Sequence, residues 1–159
     1  MQLTLHADYS LRVLLYLAAN SDRAVSTQEI SDAFGISRHH LVRVVQTLHG
    51  HGFVNVMTGR HGGATLSRPP AEINLGEVVK AAEPNFRIVE CFEPETNTCP
   101  IVAACKLQSV LGKALNSFFE VLGEYTLADV ADMPAGYKLS DFLPLSAING
   151  AQSSHQQTT

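Results

Sequence analysis

Ser26-Thr27-Gln28-Glu29-Ile30-Ser31-Asp32-Ala33-Phe34-Gly35-Ile36-Ser37-Arg38-His39-His40-Leu41-Val42-Arg43-Val44-Val45-Gln46-Thr47-Leu48 is the stretch whose reading decides the fold. Ser26 and Glu29 have the spacing of a capping box, in which each side chain satisfies a free N–H at a helix start. That helix is short, because Gly35 supplies a stop. Ser37 offers a new N-cap two residues later, and Leu41, Val44, Val45 and Leu48 follow at i, i+3, i+4 and i+7. Two short capped helices around a glycine turn are the sequence form of a helix-turn-helix. With the apolar stripe inward, His39, His40, Arg43, Gln46 and Thr47 face outward, with Ser37 and Arg38 at the helix start. Those groups can meet phosphates and base edges in a major groove.

Downstream, Phe53-Val54-Asn55-Val56 and Ala64-Thr65-Leu66 read as two short strands around Thr58-Gly59-Arg60-His61-Gly62-Gly63. A glycine-rich tip carrying Arg60 and His61 beside Gly62 and Gly63 can approach a phosphate backbone or enter a narrow minor groove. Helix-turn-helix followed by a basic hairpin is a winged helix, and double-stranded DNA is the expected partner. Upstream, Tyr9 to Asn20 is dense in Leu, Val, Ala and Tyr and reads as a buried helix.

Charge supports this division. Residues 1–70 carry six arginines against four acids, a balance of +2, and six of the seven histidines. Residues 71–159 carry five basic and eleven acidic residues, a balance of -6. The first half is therefore the face for a polyanion, although the whole chain is at -4.

After Pro69-Pro70, a helix is expected from Asn74 to about Glu83, ended by Pro84. From about Ala103 to Gly123 a long helix carries Leu107, Val110, Leu111, Ala114, Leu115, Phe118, Phe119 and Leu122, an apolar arc broad enough to pair with its own copy. Thr126-Leu127-Ala128-Asp129 reads as a further cap. The expected fold is thus mostly α with a small β-hairpin, a winged helix-turn-helix plus a long dimerisation helix. Three parts are expected: a DNA-binding domain over 1–72, a cysteine loop with dimerisation helices over 73–148, and a disordered tail over 149–159, where His155 is incidental.

All three cysteines, Cys91, Cys99 and Cys105, fall within seventeen residues between the wing and the long helix. Cys91 and Cys99 flank a polar loop with a proline, and Cys105 stands at a helix start, where the dipole favours a thiolate. Such a set suits zinc or an iron–sulfur cluster. Buried core thiols are the alternative, and an odd count precludes a closed set of intramolecular disulfides. Neither a signal peptide nor a membrane-length apolar run is present, so a cytoplasmic protein with no membrane partner is expected. No nucleotide-binding glycine fingerprint or nucleophile–base set is found, which argues against an enzyme.

The start Met-Gln-Leu-Thr with Asp8-Tyr9, the wing Gly59-Arg60-His61-Gly62-Gly63, the Glu-Pro before the cysteine loop, the three cysteines, and Tyr125-Thr126-Leu127-Ala128-Asp129 resemble the iron–sulfur winged-helix regulators, in particular their nitric-oxide-sensing repressors. The resemblance covers roughly residues 1–131. It implies a homodimer on a pseudo-palindromic operator, with nitric oxide as effector. It also implies an iron–sulfur cluster, [4Fe–4S] or alternatively [2Fe–2S], held by Cys91, Cys99 and Cys105, with Asp8 of the partner subunit as fourth ligand. From the residues alone, Asp8 reads equally as an N-terminal cap of the Tyr9–Asn20 helix. The IscR-like branch uses a histidine shortly after the last cysteine, where this chain has Leu107 and Gln108. An IscR-like redox regulator, or a regulator with a structural zinc site, is the alternative function.

Overall fold

The computed structural model describes residues 2–59, 62–132 and 141. Along the chain these form α1 (Leu5–Ala19), α2 (Thr27–Phe34), α3 (Arg38–Gly50), β1 (Val54–Met57), β2 (Gly63–Leu66), α4 (Leu75–Ala82), α5 (Lys106–Gly123) and α6 (Leu127–Ala131). Short 3-10 turns lie at Pro70–Glu72, Glu90–Phe92 and Val102–Ala104. β1 and β2 pair antiparallel, with Val54 opposite Leu66 and Met57 opposite Gly63. The expected helical fold with a single hairpin is the one the described residues adopt. Arg60, His61 and the tail from 149 lie outside the described residues.

The helix-turn-helix is built from local chemistry. Ser26 and Ser37 cap α2 and α3, and Gly35 between them takes φ 64°, a left-handed conformation that costs other residues strain. Ser31 Oγ donates to the Ile36 carbonyl at 2.6 Å and fixes the turn. The stripe Leu41, Val44, Val45 and Leu48 is buried as its spacing predicted.

That stripe meets Val13, Leu14 and Leu17 of α1, Ile30 of α2 and Val54 of β1 in one cluster. Burial of each such side chain stabilises by about 1.5–3 kcal/mol. The cluster also takes in Ile73, Val78 of α4 and Leu127 of α6, each fully buried. The core therefore continues across residue 72. α6 is anchored there by Leu127 N–H donating to the Ile73 carbonyl at 2.8 Å, and by Leu75 N–H donating to the Tyr125 carbonyl at 3.0 Å. The capping box of Thr126 and Asp129 forms as expected.

Three local expectations are corrected. α1 begins at Leu5, not Tyr9, because Thr4 serves as N-cap, its hydroxyl accepting from Ala7 N–H at 3.2 Å. Asp8 is consequently a first-turn residue and not the cap. The Ser26–Glu29 box forms only on the serine side. Glu29 is drawn away to Arg23, at 2.5 and 2.9 Å in a forked pair, and to the Tyr16 hydroxyl at 3.0 Å. Charge-assisted forked bonds are stronger than one to a neutral amide. The long helix begins at Lys106 and not near Ala103, because Cys105 has extended backbone angles that break it from the preceding 3-10 turn.

Candidate metal centre and nucleic-acid interface

α3 presents Arg38, His39, His40, Arg43 and Gln46 to solvent, with Ser37 at its start accepting from His40 N–H at 3.4 Å. This row is the face expected to meet DNA. Thr47 departs from it: it is half-buried, and its hydroxyl lies 3.0 Å from His6 Nε2 on α1. The Tyr9 and His40 rings make a second link between the same helices, with centroids 6.3 Å apart. The first turn of α1 is thus tied to α3, a connection between residues 41 positions apart that periodicity could not reveal.

Gly62 and Gly63 in the wing have an intramolecular reason to be glycine. A Cβ on Gly63 would stand 2.6 Å from the Val25 carbonyl oxygen, and one on Gly62 would collide with the Met57 carbonyl. Val25 and Ala64 exchange two backbone hydrogen bonds, at 2.9 and 2.8 Å, so the residue before the Ser26 cap of α2 pairs with β2. The wing is therefore fastened to the chain leading into α2 through the tip-proximal half of β2.

Cys91, Cys99 and Cys105 are all unpaired and half-buried. Cys91 lies in the Glu90–Phe92 turn, and Cys105 occupies the N-cap position of α5, where no side chain caps the free N–H groups. Glu90, adjacent to Cys91, accepts from both the backbone N–H and the hydroxyl of Thr98, adjacent to Cys99. Those bonds hold the Glu90 carboxyl below its usual range, the Thr98 hydroxyl contributing most. Gln108 Nε2, in the first turn of α5, donates to the Cys91 carbonyl at 2.7 Å. An Arg87–Glu93 ion pair brackets the Cys91 turn. Sequence reasoning missed Glu90, Thr98 and Gln108, since nothing in their spacing announces a contact across a loop.

Asp8 is paired with Arg12, Oδ2 to Nη2 at 2.7 Å, and both side chains are exposed. Among the described residues, no group of three or more His, Cys, Asp and Glu side chains is close enough to hold a metal ion. Within one chain Asp8 does not complete a set with the cysteines. The donor chemistry still fits a soft metal or cluster: three free thiols on one loop, one of them at an uncapped helix N-terminus, short of a ligand.

Away from these residues, burial and the bond to Glu29 raise the Tyr16 phenol to about 12. Burial opposes ionisation of Glu29, but the bonds from Arg23 and Tyr16 prevail and lower its pKa. This trio fastens α1 to the start of α2.

A helix-turn-helix with an exposed basic recognition helix and an attached hairpin defines a winged-helix DNA-binding regulator. The family model Rrf2, described as an iron-dependent transcriptional regulator, matches residues 3–133, and the chain belongs to that family. It is 44% identical over 131 residues to the HTH-type transcriptional regulator NsrR of Bacillus licheniformis, covering 82% of this chain and 92% of that one. To NsrR of Shouchella clausii it is 46% identical, covering 82% and 88%. Its fold is similar to that of T. potens IscR, with TM-score 0.66 and 25% identity over 86% of this chain and 95% of that one. The sequence likenesses are to NsrR-type Rrf2 regulators. The protein is a DNA-binding transcriptional regulator and not an enzyme. No helix among the described residues is long and apolar enough to cross a membrane.

Proposed function

We propose that this chain is a homodimeric, nitric-oxide-responsive repressor whose operator binding is set by an iron–sulfur cluster, [4Fe–4S], held by Cys91, Cys99 and Cys105 of one subunit and Asp8 of the other. The observation that carries the reading is the bond between His6 and Thr47, because it ties the turn bearing Asp8 to the recognition helix. The likeness to NsrR relatives supports the effector. When bound, the cluster supplies iron with which nitric oxide reacts. Asp8, an oxygen ligand among sulfurs, is the labile member of the set. Loss of Asp8 from that set would free the first turn of α1, which His6 and Tyr9 connect to Thr47 and His40 on α3. The two recognition helices of the dimer would then lose the spacing that matches two half-sites.

The dimer is supported by α5. None of its 18 residues is buried, and Leu107, Val110 and Val121 are 61%, 59% and 55% exposed. An uncovered apolar row of that length, ~27 Å, fits a second copy of itself. Phe119 of α5 packs instead on Phe86 and beneath Lys80, which seats the helix on its own subunit.

The test is titration of anaerobically purified protein with nitric oxide, followed by a gel-shift assay on operator DNA. Operator release in step with nitrosylation is expected. Unchanged binding after full nitrosylation removes the proposal. A colourless protein containing zinc in place of iron and sulfide favours the structural-zinc alternative.

A further inference from the structure

We infer that Gln108 and Glu90 are positioning residues that hold the backbones of the three cysteines in one arrangement before any metal enters. The inference rests on the cysteine-ligand reading above. Cys91 and Cys99 are separated by seven residues that, beyond the end of the Glu90–Phe92 turn and the Thr96 N–H to Glu93 carbonyl bond, have no regular backbone structure to set their separation. Two side-chain bridges set it. Glu90 grips Thr98 through two donors and closes the loop beside Cys91 and Cys99. Gln108 joins that closed loop to the first turn of α5 through the Cys91 carbonyl, three residues after Cys105. A third contact, Cys99 N–H donating to Asn97 Oδ1 at 3.1 Å, turns the backbone into Cys99.

Neither bridge uses a thiol. All three sulfurs remain free, so the bridges and a metal do not compete. The three thiols do not form a metal-sized cluster in this arrangement, so the bridges order the loop and the final approach of the sulfurs is left to metal binding. Preordering of this kind strengthens binding by removing the cost of ordering the loop at the moment of association.

The roles differ in a way that substitution can read. Gln108→Leu keeps the size and loses the donor. Glu90→Ala loses the acceptor, whereas Glu90→Gln retains an oxygen that can accept from Thr98. Anaerobic apo protein is titrated with cobalt(II), whose thiolate absorption reports the cysteines without cluster assembly. Reconstituted protein is then followed by absorbance during challenge with a chelator.

Gln108→Leu and Glu90→Ala are expected to weaken cobalt binding by about three- to tenfold and to speed cluster loss by a similar factor. Glu90→Gln should stay near the parent protein. Unfolding temperatures should be unchanged in all three, because the bridges lie outside the buried core. Parent-like cobalt affinity and chelator kinetics in both Gln108→Leu and Glu90→Ala overturn the inference while leaving the ligand reading intact. If the parent protein itself gives no cobalt–thiolate band, and single Cys→Ser changes alter nothing, the ligand reading fails and takes the inference with it.

Discussion

Asp8 Oδ2 sits 2.7 Å from Arg12 Nη2, one helical turn along α1, with the two side chains 39% and 44% exposed. The carboxylate is therefore already held by a partner, yet at a surface position where such a pair contributes only about 0–1 kcal/mol. It can be given up to a metal at small cost. Asp8→Ala should leave the unfolding free energy of apo protein within about 1 kcal/mol of the parent. The same substitution should change the absorption spectrum of the reconstituted protein and hasten cluster loss to a chelator. Parent-like spectrum and kinetics would exclude Asp8 as a ligand.

Arg43 on the exposed face of α3 and Arg60 from the wing sequence should contribute differently to DNA binding. Arg60→Ala should weaken binding to all sequences alike and reduce the salt slope by about 1, as for a phosphate contact. Arg43→Ala should cost about 1–3 kcal/mol on the operator and relax preference at one base position, as for a base-edge contact. Fluorescence anisotropy on operator and scrambled duplexes at several salt concentrations separates the two. If neither change alters affinity, these residues are not at the interface.

Gly63→Ala would place a methyl group 2.6 Å from the Val25 carbonyl oxygen. The obstacle is backbone, so the wing must shift and strain the Val25–Ala64 pairing. A loss of about 1–3 kcal/mol in stability is expected, as for other overpacked sites. Operator affinity should fall as well, although no DNA-facing side chain has been altered. Urea unfolding and anisotropy on the same preparation check both effects.

The Arg23–Glu29–Tyr16 trio sets a pH response. Glu29 titrates below its ordinary 4.5 in the folded protein, so its contribution is present above that pH and is lost as pH falls through the lowered value. Tyr16 titrates near 12 instead of 10.0, so its contribution is complete below pH 10 and disappears between 10 and about 12. Glu29→Ala should cost about 1–3 kcal/mol at neutral pH by leaving two partners unsatisfied. The penalty should shrink below the ordinary carboxylate range. Tyr16→Phe should flatten the alkaline arm of the stability curve, which chemical denaturation from pH 9 to 12 would show.

Much of this protein was determined by its sequence alone, because the relevant physics is local. The caps at Ser26, Ser37 and Thr126 were readable from residue type and spacing, as were the left-handed turn at Gly35, the buried stripe of α3 and the strand pairing around the wing. A side chain's own neighbours in sequence decide those features. The grouping of the cysteines was legible for the same reason, since three thiols on one short loop need no tertiary structure to be noticed.

Only the tertiary structure decided what lies across the fold. It withdrew Glu29 from its capping role, because Tyr16 and Arg23 approach from another element. It linked Thr47 to His6 on α1, and made Leu127 of the last described helix a fully buried member of the core shared with α1. It also placed Gln108 against the Cys91 carbonyl and the Val25 backbone against Gly63. Each depends on a contact between residues far apart in the chain. Periodicity says which face of a helix is apolar, but the packing of several helices around one core determines which polar group meets which.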